Sequence, residues 1–212
     1  MQTNDVDEVL RTTRAIRRRL DLDRPVDPAT VRECIELALQ APTASNAQDW
    51  RWVVVTDVDA RRSIADIYRS CGEDYLRRAA ADEDDPQTRR VYESALHLTS
   101  TLAQVPVLVI PCLDQRVDGA PNAVAAAAYG SIMPAAWSFL LALRARGLGS
   151  VWTTLHLFRE AEVAELLGIP EHVTQIALFP VAHITGDRLG PAVRPPVDDV
   201  VHWNRWRIGT QG

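Results

Sequence analysis

The sequence predicts a layered fold of the α/β or α+β kind, in which helices alternate with short strands. Stretches with apolar residues at helical spacing recur between short β-branched runs, and no linker or repeat divides the 212 residues. The balance of 47% hydrophobic and 24% charged residues supplies a core without covalent staples. A single domain over residues 1–212 is therefore expected.

Residues 5–19 read as a helix that turns basic toward its end, which would put Arg14 and Arg17 on one face and Arg18 one turn beyond Arg14. Asp27 reads as the cap of a second helix, with Pro28 in its first position and Val31, Cys34, Ile35 and Ala38 on its apolar side. That helix stops near Pro42, and Pro42–Asn46 is a loop by composition. Trp52–Thr56 is a strand by its β-branched run, and a helix follows at 59–70. Residues 72–90 are charged and read as irregular, helical only in part. Val91–Gln104 reads as a helix, and Pro106–Cys112 as a buried strand entered through its proline. Residues 122–146 form the longest apolar helix, closed by Gly147. A strand begins at Val151 and Trp152, Glu160–Leu167 is a short helix, Gln175–Ile184 is the last strand, and 186–212 is a proline-rich tail.

Composition removes whole classes of function. A net charge of −5 does not suit a general nucleic-acid binder. The sequence contains no lysine, and all 23 of its basic residues are arginine, so Schiff-base chemistry, a Walker A loop and a protein-kinase site have no amine to work with. Three scattered cysteines form neither a disulfide framework nor a zinc site, and the acidic start MQTNDVDEVL has no secretory pattern, so a cytoplasmic protein is expected. Ala123–Leu143 is long enough to span a bilayer, but its alanines, Pro134 and serines make it weakly hydrophobic. A helix buried in a core or subunit interface is the expectation, with no membrane. Five histidines show no metal-ligand spacing and no Gly-x-Ser-x-Gly elbow is present. No side chain declares itself an acid, base or nucleophile, which leaves the catalytic residue unknown and points to a cofactor as the carrier of the reaction.

Three segments offer binding chemistry. Arg14-Ala15-Ile16-Arg17-Arg18-Arg19 can fork onto a dianion, or can be a solvated basic helix end. Ala41–Trp50 presents amide side chains and backbone groups before a strand, suited to the polar edge of a planar heterocycle, or is an ordinary connection. Gly147–Thr154 contains Gly-x-Gly but follows a helix and opens a strand, the reverse of a Rossmann fingerprint. Thr153 and Thr154 place hydroxyls at that strand end.

In order and spacing, these segments resemble the nitroreductase family of FMN enzymes. Arg14-Ala15-Ile16-Arg17 is similar to its Arg-Ser-x-Arg, and Ala41–Trp50 to its Ala-Pro-Ser-x-x-Asn-x-Gln-Pro-Trp. Gly147–Trp152 is similar to its Gly-Leu-Gly-Ser-x-Trp, and Leu167-Gly168-Ile169-Pro170 to the segment after it. Arg194-Pro195-Pro196-Val197 and Trp203–Trp206 complete the likeness, which runs from about residue 8 to 206 and is closest in character to actinobacterial members. The resemblance implies an α+β fold with a central mixed sheet flanked by helices, in an interlocked homodimer with FMN at the subunit interface. It implies that Arg14 and Arg194 hold the flavin phosphate and that Arg17 lies near the N1/O2 edge. Thr43, Ala44 and Asn46 would approach from the partner chain, Trp152, Thr153 and Thr154 would lie near N5 and O4, and Ala15, Pro42 and Gln48 would also belong to the cofactor-binding set. Ala15 stands where the family has a serine, and Asp49 where it has a proline.

The activity implied is a ping-pong cycle. NADH or NADPH gives hydride to flavin N5 and leaves, and a nitroaromatic, quinone or similar small acceptor takes its place. A reductive dehalogenase or biosynthetic dehydrogenase on the same fold is the alternative, and a non-enzymatic flavin-bound redox sensor a further one.

Overall fold

The structure, a computed structural model, describes residues 3–186 and 189–206. Helix α1 covers Thr3–Thr12 and stops well short of residue 19. The Thr12 and Thr13 hydroxyls donate to the carbonyls of Glu8 and Val9 at 2.7 and 2.6 Å. Beyond them the backbone leaves the helix. Ile16 N–H donates to Ser150 O at 2.9 Å, and Leu20 bridges Ile184. Tertiary pairing, together with burial of Ile16 and Leu20 in the core, overrides the helical propensity of the arginine run. The arginines therefore fan out instead of sharing a helix face: Arg17 to Ser94, Arg18 to Glu93, Arg19 to Thr185.

Helix α2, Pro28–Ala38, starts as expected, with the Asp27 carboxylate accepting from Ala29 N–H. Strand β1 is Trp50–Val55. Two long helices follow, α3 over Val58–Asp82 and α4 over Pro86–Thr101, so most of the stretch read as irregular is regular helix. Charges pair along α3 on both sides of its middle: Arg69 with Asp66, and within the stretch read as irregular Arg77 with Glu73 and Asp74. Gly72 lets α3 lie close to the following layer, where a Cβ would fall 2.3 Å from Leu155 Cδ1. The break comes at Asp85, whose carboxylate caps α4 through Thr88 N–H ahead of Pro86.

Strand β2, Val107–Leu113, is buried along its whole length. Its alternate residues serve two cores. Leu108, Ile110 and Cys112 pack with Ile64, Tyr68 and Leu98 under α3 and α4. Val107 and Val109 pack with Val31, Phe139 and Phe179 on the opposite face. That second face is covered by α2 and by α5, Asn122–Ala145. The remaining elements are β3 at Leu148–Gly149, α6 at Glu160–Leu167, β4 at Thr174–Gln175 and β5 at Phe179–His183.

The sheet runs β1-β2-β5-β3, with β4 also against β2. A mixed sheet was expected, yet every ladder among the described residues is antiparallel. Between β1 and β2 the chain passes through a pair of helices, which brings it back at the end it left. Helix α5 does deliver β3 in the same direction as β2, but β5 lies between them and runs against both. Met133 and Trp137, one turn apart on α5, are exposed, as is Val124 near its start. By length and composition α5 could cross a membrane, while its second half packs in the core through Ala136, Phe139 and Leu143.

Candidate functional site

The segment after α1, the C-terminal half of α5, the end of β3 and the tail meet around a cavity of about 200 Å³. Arg14 and Ala15 come from the first, Trp137 and Arg144 from the second, Gly149–Trp152 from the third and Arg194 from the fourth. Their approach is close: a Cβ on Gly149 would lie 2.9 Å from Ile184 and 3.2 Å from Ile16. Among the described residues, three arginines line the cavity and no acidic residue does. Among the described residues, Arg14 and Arg194 donate to the backbone carbonyls of Gly190 and Val193, contacts that do not neutralise their charge. Ser150 Oγ and Arg144 Nε are buried without a hydrogen-bond partner among the described residues. Such atoms are expensive to leave unmet, and together with the three cations they describe a site for an anion rich in acceptor oxygens.

A second polar group lies on the α3 and α4 side. Arg17 is not among the residues lining the cavity; its Nη1 donates to Ser94 Oγ at 3.2 Å and its Nε is buried without a partner among the described residues. Burial pulls the Arg17 pKa below its usual value, with nearby Tyr68 opposing the shift. Tyr68 OH lies 2.8 Å from Thr153 Oγ1, and burial raises the phenol pKa. Thr153 is fixed by two backbone bonds with Leu178. Thr154 is exposed and opens a turn, its carbonyl accepting from Leu157 N–H. Trp152 is half-buried and packs edge-on against Phe179, with centroids 5.2 Å apart.

The Pro42–Gln48 loop sits elsewhere on the same chain. Ala44 N–H donates to Ser131 Oγ at 3.0 Å, and Trp50 Nε1 donates to Ser131 O at 3.0 Å. Ser131 precedes Arg144 by thirteen residues of α5, or about 20 Å of helix. Ser45, Asn46 and Gln48 adopt positive φ of 52°, 55° and 55°, held by Gln48 N–H on Thr43 Oγ1 and Gln48 Nε2 on Asn46 Oδ1. Asp49 ties the loop to the end of β2 by accepting from Gln115 Nε2 and, through its carbonyl, from Asp114 N–H.

Of the residues picked out in the sequence, Arg14, Ala15, Trp152 and Arg194 share the cavity. Thr153 is bonded to Tyr68, whose titration the charge of Arg17 influences, and Pro42, Thr43, Ala44, Asn46 and Gln48 stay apart from the cavity within one chain. Sequence reasoning missed Arg144, Ser150 and Trp137 as cavity residues. Ser150 lay inside the Gly-Leu-Gly-Ser motif, which was the available signal; Arg144 looked like an ordinary cation at a helix C-terminus.

Set against known proteins, the sequence matches the model of the Nitroreductase family over residues 10–183. A relative described as NADH dehydrogenase, from Thermus thermophilus, is 31% identical over 192 residues, covering 84% of this chain and 87% of that protein. Iodotyrosine deiodinase, solved with FMN and 3-iodo-L-tyrosine, aligns with a TM-score of 0.73 at 20% identity, over 95% of this chain and 100% of that one. Nitroreductase A from Vibrio parahaemolyticus aligns with a TM-score of 0.72 at 19% identity, over 99% and 79%. At these identities the two structures establish the fold alone.

Proposed function

The chain belongs to the nitroreductase family, and from that premise we propose an FMN-dependent oxidoreductase that moves hydride from NADH or NADPH to a small electron-poor acceptor such as a nitroaromatic or quinone. The observation that carries this reading is the three-arginine cavity with its two buried, unpartnered polar atoms. A flavin phosphate gives each of them an acceptor. Arg14 and Arg194 would grip it by charge, Arg144 Nε would add a third donor, and the Ser150 hydroxyl would stand in for the one absent at Ala15. FMN bound there would supply hydride transfer, chemistry for which no side chain of this chain is equipped.

What the chain itself contributes is position. Trp152 forms an apolar wall at the cavity mouth and Thr153 offers a hydroxyl from a strand end that cannot shift without breaking two backbone bonds. At about 200 Å³ the cavity is smaller than the 300–1,000 Å³ of a typical cofactor site. A second copy of the chain completes it in this reading. The exposed Met133 and Trp137 of α5 and the exposed Val193, Val197, Trp203 and Trp206 of the tail are the apolar surfaces such a homodimer would cover. The Pro42–Gln48 loop, anchored at Ser131, would then reach the partner's cavity rather than its own.

The test is the purified protein's visible spectrum and mass in solution, followed by anaerobic mixing with NADH or NADPH. A yellow dimer that releases FMN on denaturation and bleaches within turnover time supports the reading. Colourless protein that takes up no added FMN ends it, and flavin that neither nucleotide reduces ends the hydride-transfer part. Screening halophenols against nitroaromatics with a chemical reductant separates the dehalogenase alternative.

A further inference from the structure

Tyr68 sits on α3, 1% exposed, with its hydroxyl 2.8 Å from Thr153 Oγ1. The pair holds two hydroxyl hydrogens and the contact uses one, so one O–H is left over. Left on Tyr68, it would be an unmet donor in the core, among Ile64, Leu98 and Ile110, at the full desolvation cost of a buried hydroxyl. Left on Thr153, which is only half-buried, it remains available to a ligand. The favourable arrangement therefore has Tyr68 donating and Thr153 accepting. Burial raises the Tyr68 pKa, so the phenol keeps its proton at neutral pH.

The surrounding backbone makes this a rigid device. Thr153 exchanges both backbone bonds with Leu178, at 3.3 and 2.8 Å, which leaves its side-chain torsion as the remaining freedom. Gly72, one turn along α3 from Tyr68, is packed directly on Leu155, so the helix is held against the 153–155 segment at two points. Arg17 lies near enough to Tyr68 to shift its titration, and its own buried Nε–H lacks a partner among the described residues.

We propose that Tyr68 is a positioning residue: by donating its O–H to Thr153 Oγ1 it fixes the Thr153 hydroxyl hydrogen outward, as a donor to the polar N5/O4 edge of the bound flavin ring. This rests on the FMN reading above. Tyr68 touches no reactant and acts only through Thr153.

The test loads the protein with FMN carrying 15N at N5 and 13C at C4, and records both resonances in the oxidised state. Wild type is compared with Tyr68→Phe, Thr153→Val, Thr153→Ser and the Tyr68→Phe/Thr153→Val double variant. The expected result is that Tyr68→Phe and Thr153→Val move the same resonance in the same direction, that Thr153→Ser restores it, and that the double variant matches Thr153→Val alone. Flavin reduction by NADH should slow about 2- to 10-fold in Tyr68→Phe, the worth of one neutral hydrogen bond, with no further loss in the double variant. Tyr68→Phe keeps the ring and its packing, and Thr153→Val approaches the same bond from the other side should the first variant fold poorly. Resonances that ignore Tyr68→Phe, or a double variant that sums the single effects, overturn the proposal. A wild type that takes up no FMN fails the parent reading instead, and that is seen before any variant is made.

Discussion

His156 lies in the turn Leu155–Arg159 at 0% exposure, and neither ring nitrogen has a hydrogen-bond partner among the described residues. Burial lowers its pKa from 6.5 to about 4, with the Glu160 carboxylate opposing the shift. The folded pKa is thus depressed below the unfolded one, so the unfolded chain takes up the proton first and stability falls as pH drops through the window from 6.5 to about 4. The full loss corresponds to about 3 kcal/mol, of which about 2 kcal/mol is already gone at about pH 5. The perturbation that isolates this contribution is His156→Leu, which removes the titrating ring and its unmet donor together. Urea unfolding at about pH 7.5 and about pH 5, at one protein and one FMN concentration, gives the comparison. Wild type should lose about 1 M more in midpoint than the variant over that interval, given slopes of about 1–3 kcal/mol per M. Wild type and variant falling in parallel would refute the reasoning, because the acid sensitivity would then belong to other groups.

Three other substitutions test separate parts of the molecule. Ser150→Ala should weaken FMN binding about 10- to 100-fold by fluorescence titration, the worth of a hydrogen bond to a charged group, and Ala15→Ser in that background should recover part of the loss. Met133→Glu places a charge at an exposed position of α5 without touching the core, and light scattering should find a monomer with reduced FMN affinity. Phe139→Ala removes a fully buried ring that packs on Trp52 and Phe179, and should lower unfolding stability by about 3–5 kcal/mol in urea titration.

Where the fold obeyed local rules, it was legible from the residues. Asp27 and Pro28 mark the start of α2 because cap and first-turn chemistry depend on neighbours in sequence, and Glu160–Leu167 agrees with α6 for the same reason. The arginine run after α1 was misread because the Ile16 N–H finds its acceptor on Ser150, more than a hundred residues away. Residues 72–90 were misread in the opposite sense: their charge density suggested a solvated irregular segment, whereas Arg77 pairs with Glu73 and Asp74 at four- and three-residue spacing and braces a helix. The mixed sheet failed because the order of strands within a sheet is not written in any one strand, and β5 comes between β2 and β3 only in space.

The candidate site divides along the same line. Arg14, Trp152 and Arg194 were visible because a motif names residue types at fixed intervals, and their meeting in one cavity follows from those intervals. Arg144, Ser150 and Tyr68 were hidden because what distinguishes each is the fate of one polar atom after folding. A serine in a glycine motif, an arginine closing a helix and a tyrosine on an apolar face are all ordinary in sequence. They become informative when, among the described residues, Ser150 Oγ and Arg144 Nε are enclosed without a partner and the Tyr68 hydroxyl is left a single neighbour to bond. An enclosed donor without an acceptor raises the energy of the free chain by about 1–3 kcal/mol, and a ligand with matching oxygens returns it on binding. In the proposed reading, the atoms that weaken the isolated fold are the ones that would define where the cofactor is held, a property that emerges only once distant segments are packed together.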